Sequence, residues 1–280
     1  MRRSLKSDSD GGSGSLPVEP GRLADAAGLA QELFARGRLA IAQSLQDGPL
    51  RYTDIAHRAG GTESEVSRNL ARLVESGLVT KGQDGLFRLA GVSNAALTHA
   101  ESLEFLARHS SFFQAHPIES LPRPFLANLH VLGKAQLLSD PFEIGAVFGR
   151  LTETIDSRFY GQWIIGAPGP TGDQIRLNAL IAERVKTSRA DARAILLESE
   201  LALVLKAFPK RFGPVFKTRL LQRGPVAIAV TDGLAILQFE SAAGQIDFRN
   251  AFVGGDPAFV AWCRDLFLHY WDEARPIDET

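Results

Sequence analysis

Four consecutive residues, Thr62-Glu63-Ser64-Glu65, constrain this chain more than any other short stretch. They form a capping box: the Thr62 hydroxyl can accept a backbone N–H from the first turn, and Glu65 can reach back to the N–H of Thr62. A helix starting there carries Val66, Leu70 and Leu73 on one stripe and ends at Gly77, a residue suited to the left-handed turn after a helix. Upstream, Leu29, Leu33, Phe34, Ile41 and Leu45 recur at helical intervals. They predict a long first helix over 23–45, interrupted at Gly37 and ended by Asp47-Gly48-Pro49. Leu50-Arg51-Tyr52 reads as a short extended piece, and Thr53 is placed to cap a helix over 54–59 that Gly60-Gly61 closes. Downstream, Leu78-Val79-Thr80-Lys81 and Leu86-Phe87-Arg88-Leu89 flank the turn residues Gly82-Gln83-Asp84-Gly85, which predicts a hairpin. Helix, short helix, turn, capped helix and hairpin, in that order, make a winged helix-turn-helix.

With Val66 at zero on a helical wheel, Leu70 and Leu73 lie within about 40° of it and face the core. Ser64, Arg68, Ala71 and Glu75 face away, with Ser67 and Arg72 on the flanks. Small residues and arginines on an outer face suit entry into a major groove. There an arginine can bond guanine edges or phosphate, and serines can bond phosphate. Ser64, Ser67, Arg68 and Arg72, with Lys81 and Arg88 from the wing, are the expected contacts to double-stranded DNA. Local charge gives this weak support: residues 51–90 hold six Lys/Arg against five Asp/Glu, a net of +1. Winged-helix modules also serve protein contacts.

Beyond the hairpin, Leu97, Ala100, Leu103, Leu106 and Phe113 lie on one side of a helix predicted over 93–115, which Pro117, Pro122 and Pro124 follow. The expected organisation is a disordered tail over 1–20, a DNA-binding domain over 21–92, a linker or dimerisation segment over 93–124, and an α/β domain over 125–280. In that last part strands are expected near 134–139, 159–166, 191–197, 218–222, 226–231 and 234–240, with another after Gln245. Helices are expected over 141–157, 173–187, 199–212 and 256–273. Alternation of this kind implies a mixed, largely parallel sheet covered by helices, with an antiparallel edge.

Composition narrows the function classes. Apolar residues are 45% of the 280, enough for packed cores. No apolar run approaches the roughly 18–20 residues of a membrane span, and the N-terminus has no secretory pattern, so a cytoplasmic protein with no membrane partner is expected. A formal charge of −1 argues against bulk electrostatic coating of nucleic acid. The single cysteine, Cys263, excludes an internal disulfide and a multi-cysteine zinc site, and its spacing with Phe259, Trp262, Leu266, Phe267 and Tyr270 places it in a buried stripe.

Chemistry-bearing motifs are few. The stretch from Gly166 to Gly172 has two prolines and the wrong glycine spacing for a phosphate cradle, and reads as a plain loop. His99 and His109 share a helix but lie about 80° apart around it, a poor arrangement for one metal. His116, before Pro117, reads as structural. No Ser/His/Asp or paired-carboxylate arrangement stands out, so neither catalytic residues nor a metal nor a cofactor is expected, and the chain is read as a non-enzyme.

Within residues 51–80, YTDIAHRAGGTESEVSRNLARLVESGLV resembles the winged-helix domains of many archaeal regulators. From 111 onward, SFFQAHPIESLPRPFLANLHVLGKAQLLSDPFE resembles the opening of the middle domain of the methanogenesis regulatory (FilR) family. So do VAIAVTDGLAILQFESAAGQID and DPAFVAWCRDLFLHYWDEA towards the end. The resemblance implies a DNA-binding regulator with an effector-sensing C-terminal domain, the effector a small molecule or protein of unknown identity. A homodimer is expected, because two weak modules on half-sites gain by linkage. Two other classes fit the same sequence: a methyltransferase-like enzyme dimerised by its winged helix, and a protein-interaction adaptor.

Overall fold

In the computed structural model, which describes residues 25–163, 172–202 and 215–277, the capped helix begins where the sequence places it. The chain divides into two units, Met1–Thr98 and His99–Thr280.

The first unit opens with α1 (Ala26–Leu33), whose N-terminus is capped by Asp25 accepting the Gly28 N–H at 2.7 Å. The chain breaks at Phe34-Ala35 and continues as α2 (Arg36–Ser44). The interruption expected at Gly37 is therefore displaced, and Gly37 lies within α2. Its role is close approach: a Cβ added there would lie 2.6 Å from Asn69 Nδ2 in α4 (Glu63–Glu75). The intervening α3 (Tyr52–Ala59) starts at Arg51 without a side-chain cap, so Thr53 is inside the helix and not its cap. Gly60 and Gly61, at φ 69° and 90°, make the turn into α4 in a backbone region that other residues rarely enter. Leu33, Ile41, Ile55, Val66, Leu70, Leu73 and Leu78 are buried. Strands β1 (Val79–Lys81) and β2 (Phe87–Leu89) pair antiparallel, Val79 opposite Leu89 and Lys81 opposite Phe87. Leu50 bridges to Phe87 on the other side of β2, its N–H donating to Phe87 O at 3.1 Å and Phe87 N–H returning at 2.8 Å. Helix α5 (Gly91–Arg108) contains the division between the units. Near its start the buried Ser93 hydroxyl donates to Leu78 O at 2.6 Å.

The single helix expected over 93–115 is two: α5 ends at Arg108, and α6 (Ser110–Ala115) follows His109, which leaves helical geometry. After α7 (Arg123–Ala127) the second unit is built on a sheet of β3 (Gln136–Leu138), β4 (Arg158–Trp163), β5 (Asp191–Leu197), β6 (Lys217–Leu221), β7 (Val226–Val230), β8 (Ala235–Phe239), β9 (Ala251–Gly254) and β10 (Arg275–Pro276). Their order among the described residues is β10-β6-β5-β4-β7-β8-β9-β3. The class is the expected one, an α/β region with a mixed sheet. Parallel pairing is confined to β4–β5–β6, and the other neighbours are antiparallel. The reason is connectivity: β4 reaches β5 through α9 (Gly172–Ser188), whereas β7 and β8 are joined by the short turn Thr231–Leu234, which requires antiparallel strands.

Helix α10 (Pro257–Glu273) covers one sheet face with Phe259, Trp262, Cys263, Leu266, Phe267 and Tyr270, packed on Tyr160, Ile228, Leu237 and Phe252. On the other face, α8 (Pro141–Leu151) sets Ile144, Val147 and Leu151 against Ala229 and Ile236, while Ile181 and Val185 of α9 pack with Phe159 and Ala192. Strands β7 and β8 are buried along their whole length, as near-continuous apolar runs between two helical layers must be.

Among the described residues no helix is long and apolar enough to cross a membrane. The tail over 1–20, Gly166 to Thr171 of the glycine-containing loop, and 203–212 of the helix expected over 199–212 lie outside the described residues.

Candidate nucleic-acid interface

Helix α4 owes its start to local chemistry. The Thr62 Oγ1 accepts the Glu65 N–H at 3.3 Å, and Glu65 Oε2 accepts the Thr62 N–H at 2.9 Å. The Thr62 N–H, and after it the Thr62 hydroxyl donating to Glu65 Oε2 at 2.9 Å, hold the Glu65 carboxyl below its usual range. With Val66, Leu70 and Leu73 buried, Ser64, Ser67, Arg68, Ala71 and Arg72 are all exposed. The wheel assignment therefore holds for exposure, and three of the six expected contacts (Ser64, Ser67 and Arg68) lie in the first two turns of α4, Ser67 on its flank.

The cations on this surface differ in how they are held. Arg68 spends its Nε on the Ser64 carbonyl of its own helix at 3.3 Å. Arg72 makes a bidentate pair with Glu32 of α1, Nε to Oε2 at 2.8 Å and Nη2 to Oε1 at 2.6 Å. That pairing raises the Arg72 pKa, the Glu32 hydrogen bonds being the main cause. Glu32 is itself held near Arg38, whose guanidinium donates to the Glu32 and Gln31 carbonyls. In the wing, Arg88 is paired with Asp84 at 2.5 Å, and this bond is the main reason the Asp84 carboxyl falls to about 2. Lys81 sits over the Phe87 ring, 5.4 Å from its centroid. Among the described residues, Arg68 and Lys81 are thus the expected contacts with no carboxylate partner within 4 Å. Glu32 was missed, because nothing local links it to a residue 40 positions away.

Residues 36–81 match the family described as bacterial regulatory protein, arsR family, so this segment is a winged helix-turn-helix of regulator type. None of the curated proteins matches the sequence. Among solved structures, the chain is similar to TrmBL2, described as an archaeal chromatin protein with a novel mode of DNA binding, at 13% identity and TM-score 0.38 over 85% of this chain and 92% of that one. It is also similar to PigF with SAH, at 20% identity and TM-score 0.24 over 69% and 58%. A third is HmgR of Pseudomonas aeruginosa, at 14% identity and TM-score 0.21 over 86% and 97%. At these TM-scores the likenesses carry no inference about fold or activity.

Proposed function

We propose that the chain is a DNA-binding transcriptional regulator that works as a cytoplasmic homodimer, with its second unit sensing an effector that modulates operator binding. The observation that carries this reading is α4 itself. It is a capped helix in a segment matching a regulator family, with Ser64 and Arg68 exposed on the face opposite its buried stripe and Ser67 exposed on the flank. An arginine whose terminal nitrogens are uncommitted is suited to a guanine edge or a phosphate, and short hydroxyl side chains let the helix approach the groove closely. Arg72 and Arg88 would have to exchange carboxylate partners for phosphates on binding, which makes them weaker candidates than Arg68. The resemblance to the methanogenesis regulatory (FilR) family supports the same assignment for the whole chain.

Capture of genomic fragments by the purified full-length protein tests the proposal. Enriched duplexes should bind with an affinity that falls as salt rises, because phosphate contacts release counterions. Failure to enrich any duplex at low salt would leave the adaptor reading in its place.

A further inference from the structure

The second unit contains a cavity of about 490 Å³ between the sheet and helices α8 and α9. Its floor lies where small residues meet in register: Gly161 of β4 opposite Ala229 of β7, and Ala227 of β7 opposite Gln238 of β8. Register partners on adjacent strands share a sheet face, so these positions form one shallow patch beneath the two helices. On the α8 side the lining includes Gly145 and Gly149, one turn apart, and a Cβ added at either would meet nothing within 4 Å. The space follows from residue choice on three elements, β4, β7 and α8. Packed interiors leave voids of this size only rarely.

Three polar side chains in the lining have buried atoms without partners: Gln162, whose register partner Ile228 packs on the α10 side of the sheet, and Gln238 and Asn178, on the side of α8 and α9. Gln238 is 2% exposed and shares its sheet face with Ile236, which packs towards α8, so its amide is directed to the cavity. Its Nε2 makes no hydrogen bond, nor does the buried Oδ1 of Asn178 on α9. Buried amide atoms are almost always hydrogen-bonded in folded proteins, so a donor and an acceptor left open in one cavity point to a ligand that completes them. The only ionisable side chain in the lining among the described residues is Arg176, which is exposed.

We infer that this cavity binds an uncharged, largely apolar small molecule bearing a carbonyl or hydroxyl group, which takes a hydrogen bond from Gln238 and can offer one to Asn178. Scaled from a cavity of ~150 Å³ that holds benzene, the occupant has about 20 non-hydrogen atoms. Calling this molecule the effector rests on the proposed regulatory function; its binding does not.

The test uses the full-length protein without DNA and the neutral fluorescent ketone 6-propionyl-2-(dimethylamino)naphthalene, so its outcome is separate from that of any DNA assay. Saturable one-to-one binding with a blue-shifted emission is expected. Gln238→Leu should weaken binding about tenfold, the worth of one hydrogen bond, and shift the emission further to the blue as the ketone loses its donor. Ala229→Leu, which fills the floor, should abolish binding. Gly145→Leu provides a second filling variant at a position with open space and a helix-favouring change, so a folded protein is retained. Thermal transitions of the variants, unchanged or raised, confirm folding. Absence of saturable binding, or binding that survives both filling variants, overturns the inference.

Discussion

Arg72 of α4 and Glu32 of α1 are locked together by two hydrogen bonds of 2.8 and 2.6 Å, across 40 residues of sequence. The pair ties the candidate recognition helix to the first helix of the unit and takes up an arginine that the proposed function sets against DNA phosphate. Glu32→Gln removes the charge while keeping the shape. It should release Arg72, raise duplex affinity, and steepen the salt dependence by about one phosphate contact. Affinity and salt slope unchanged from wild type would mean that Arg72 takes no part in binding.

Thr62 caps α4 through the Glu65 N–H, and Glu65 answers through the Thr62 N–H. Thr62→Ala should lower the stability of the first unit by about 0.5–2 kcal/mol, because a helix N–H loses its acceptor. Chemical denaturation reads this as a lower midpoint with an unchanged slope. A midpoint equal to wild type would place the start of the helix elsewhere.

Asp232, in the turn between β7 and β8, accepts the N–H groups of Asp156, Ser157 and Arg158 at 3.0, 2.7 and 3.0 Å, together with the Ser157 hydroxyl at 2.5 Å. Burial pushes its pKa up, but those hydrogen bonds outweigh it, and the carboxyl lies well below the ordinary aspartate range. A depressed native pKa contributes stability that is present above the unfolded value, about 3.9, and is lost as pH falls below it. Asp232→Asn should therefore lower the thermal transition at pH 7 and flatten its decline between pH 5 and 3, as followed by circular dichroism. A parallel decline in both proteins would show that Asp232 does not carry the acid sensitivity.

The stripe assigned to a dimer seam is divided in the structure. Leu97 and Ala100 are buried within the chain, Leu106 and Phe113 pack against the α10-side core, and Leu103 stands 54% exposed. If α5 does join two copies, Leu103 is the residue left to do so. Leu103→Glu should yield a folded monomer by sedimentation, with weaker duplex binding, since two like charges would meet in the seam. Wild-type protein that sediments as a monomer at micromolar concentration would overturn the proposed homodimer.

What could be read from the sequence was mostly what neighbouring residues decide. The start of α4 is set by a cap and its partner three residues on, and the hairpin by turn residues between apolar runs. Strand positions such as 191–197 followed from short apolar runs bounded by polar ones. The rest depends on contacts far apart in the chain. Gly37 looked like a break because glycine weakens helices, yet its role is to let Asn69 come close. The extent of parallel pairing depended on strand order, which periodicity does not encode. In the candidate interface, exposure was legible from the wheel, but the pairing of Arg72 with Glu32 was not. The two glycines of α8 were visible one turn apart, but the small residues opposite them come from two other strands.

Fluorescence anisotropy of a captured duplex and an unrelated one, with wild-type and Arg68→Ala protein over a range of salt, tests the proposal that α4 reads DNA through Arg68. Wild-type binding should fall steeply with salt. Arg68→Ala should lose about 1–3 kcal/mol on the captured duplex and less on the unrelated one. Equal affinities of the folded variant and wild type for the captured duplex would contradict the proposal.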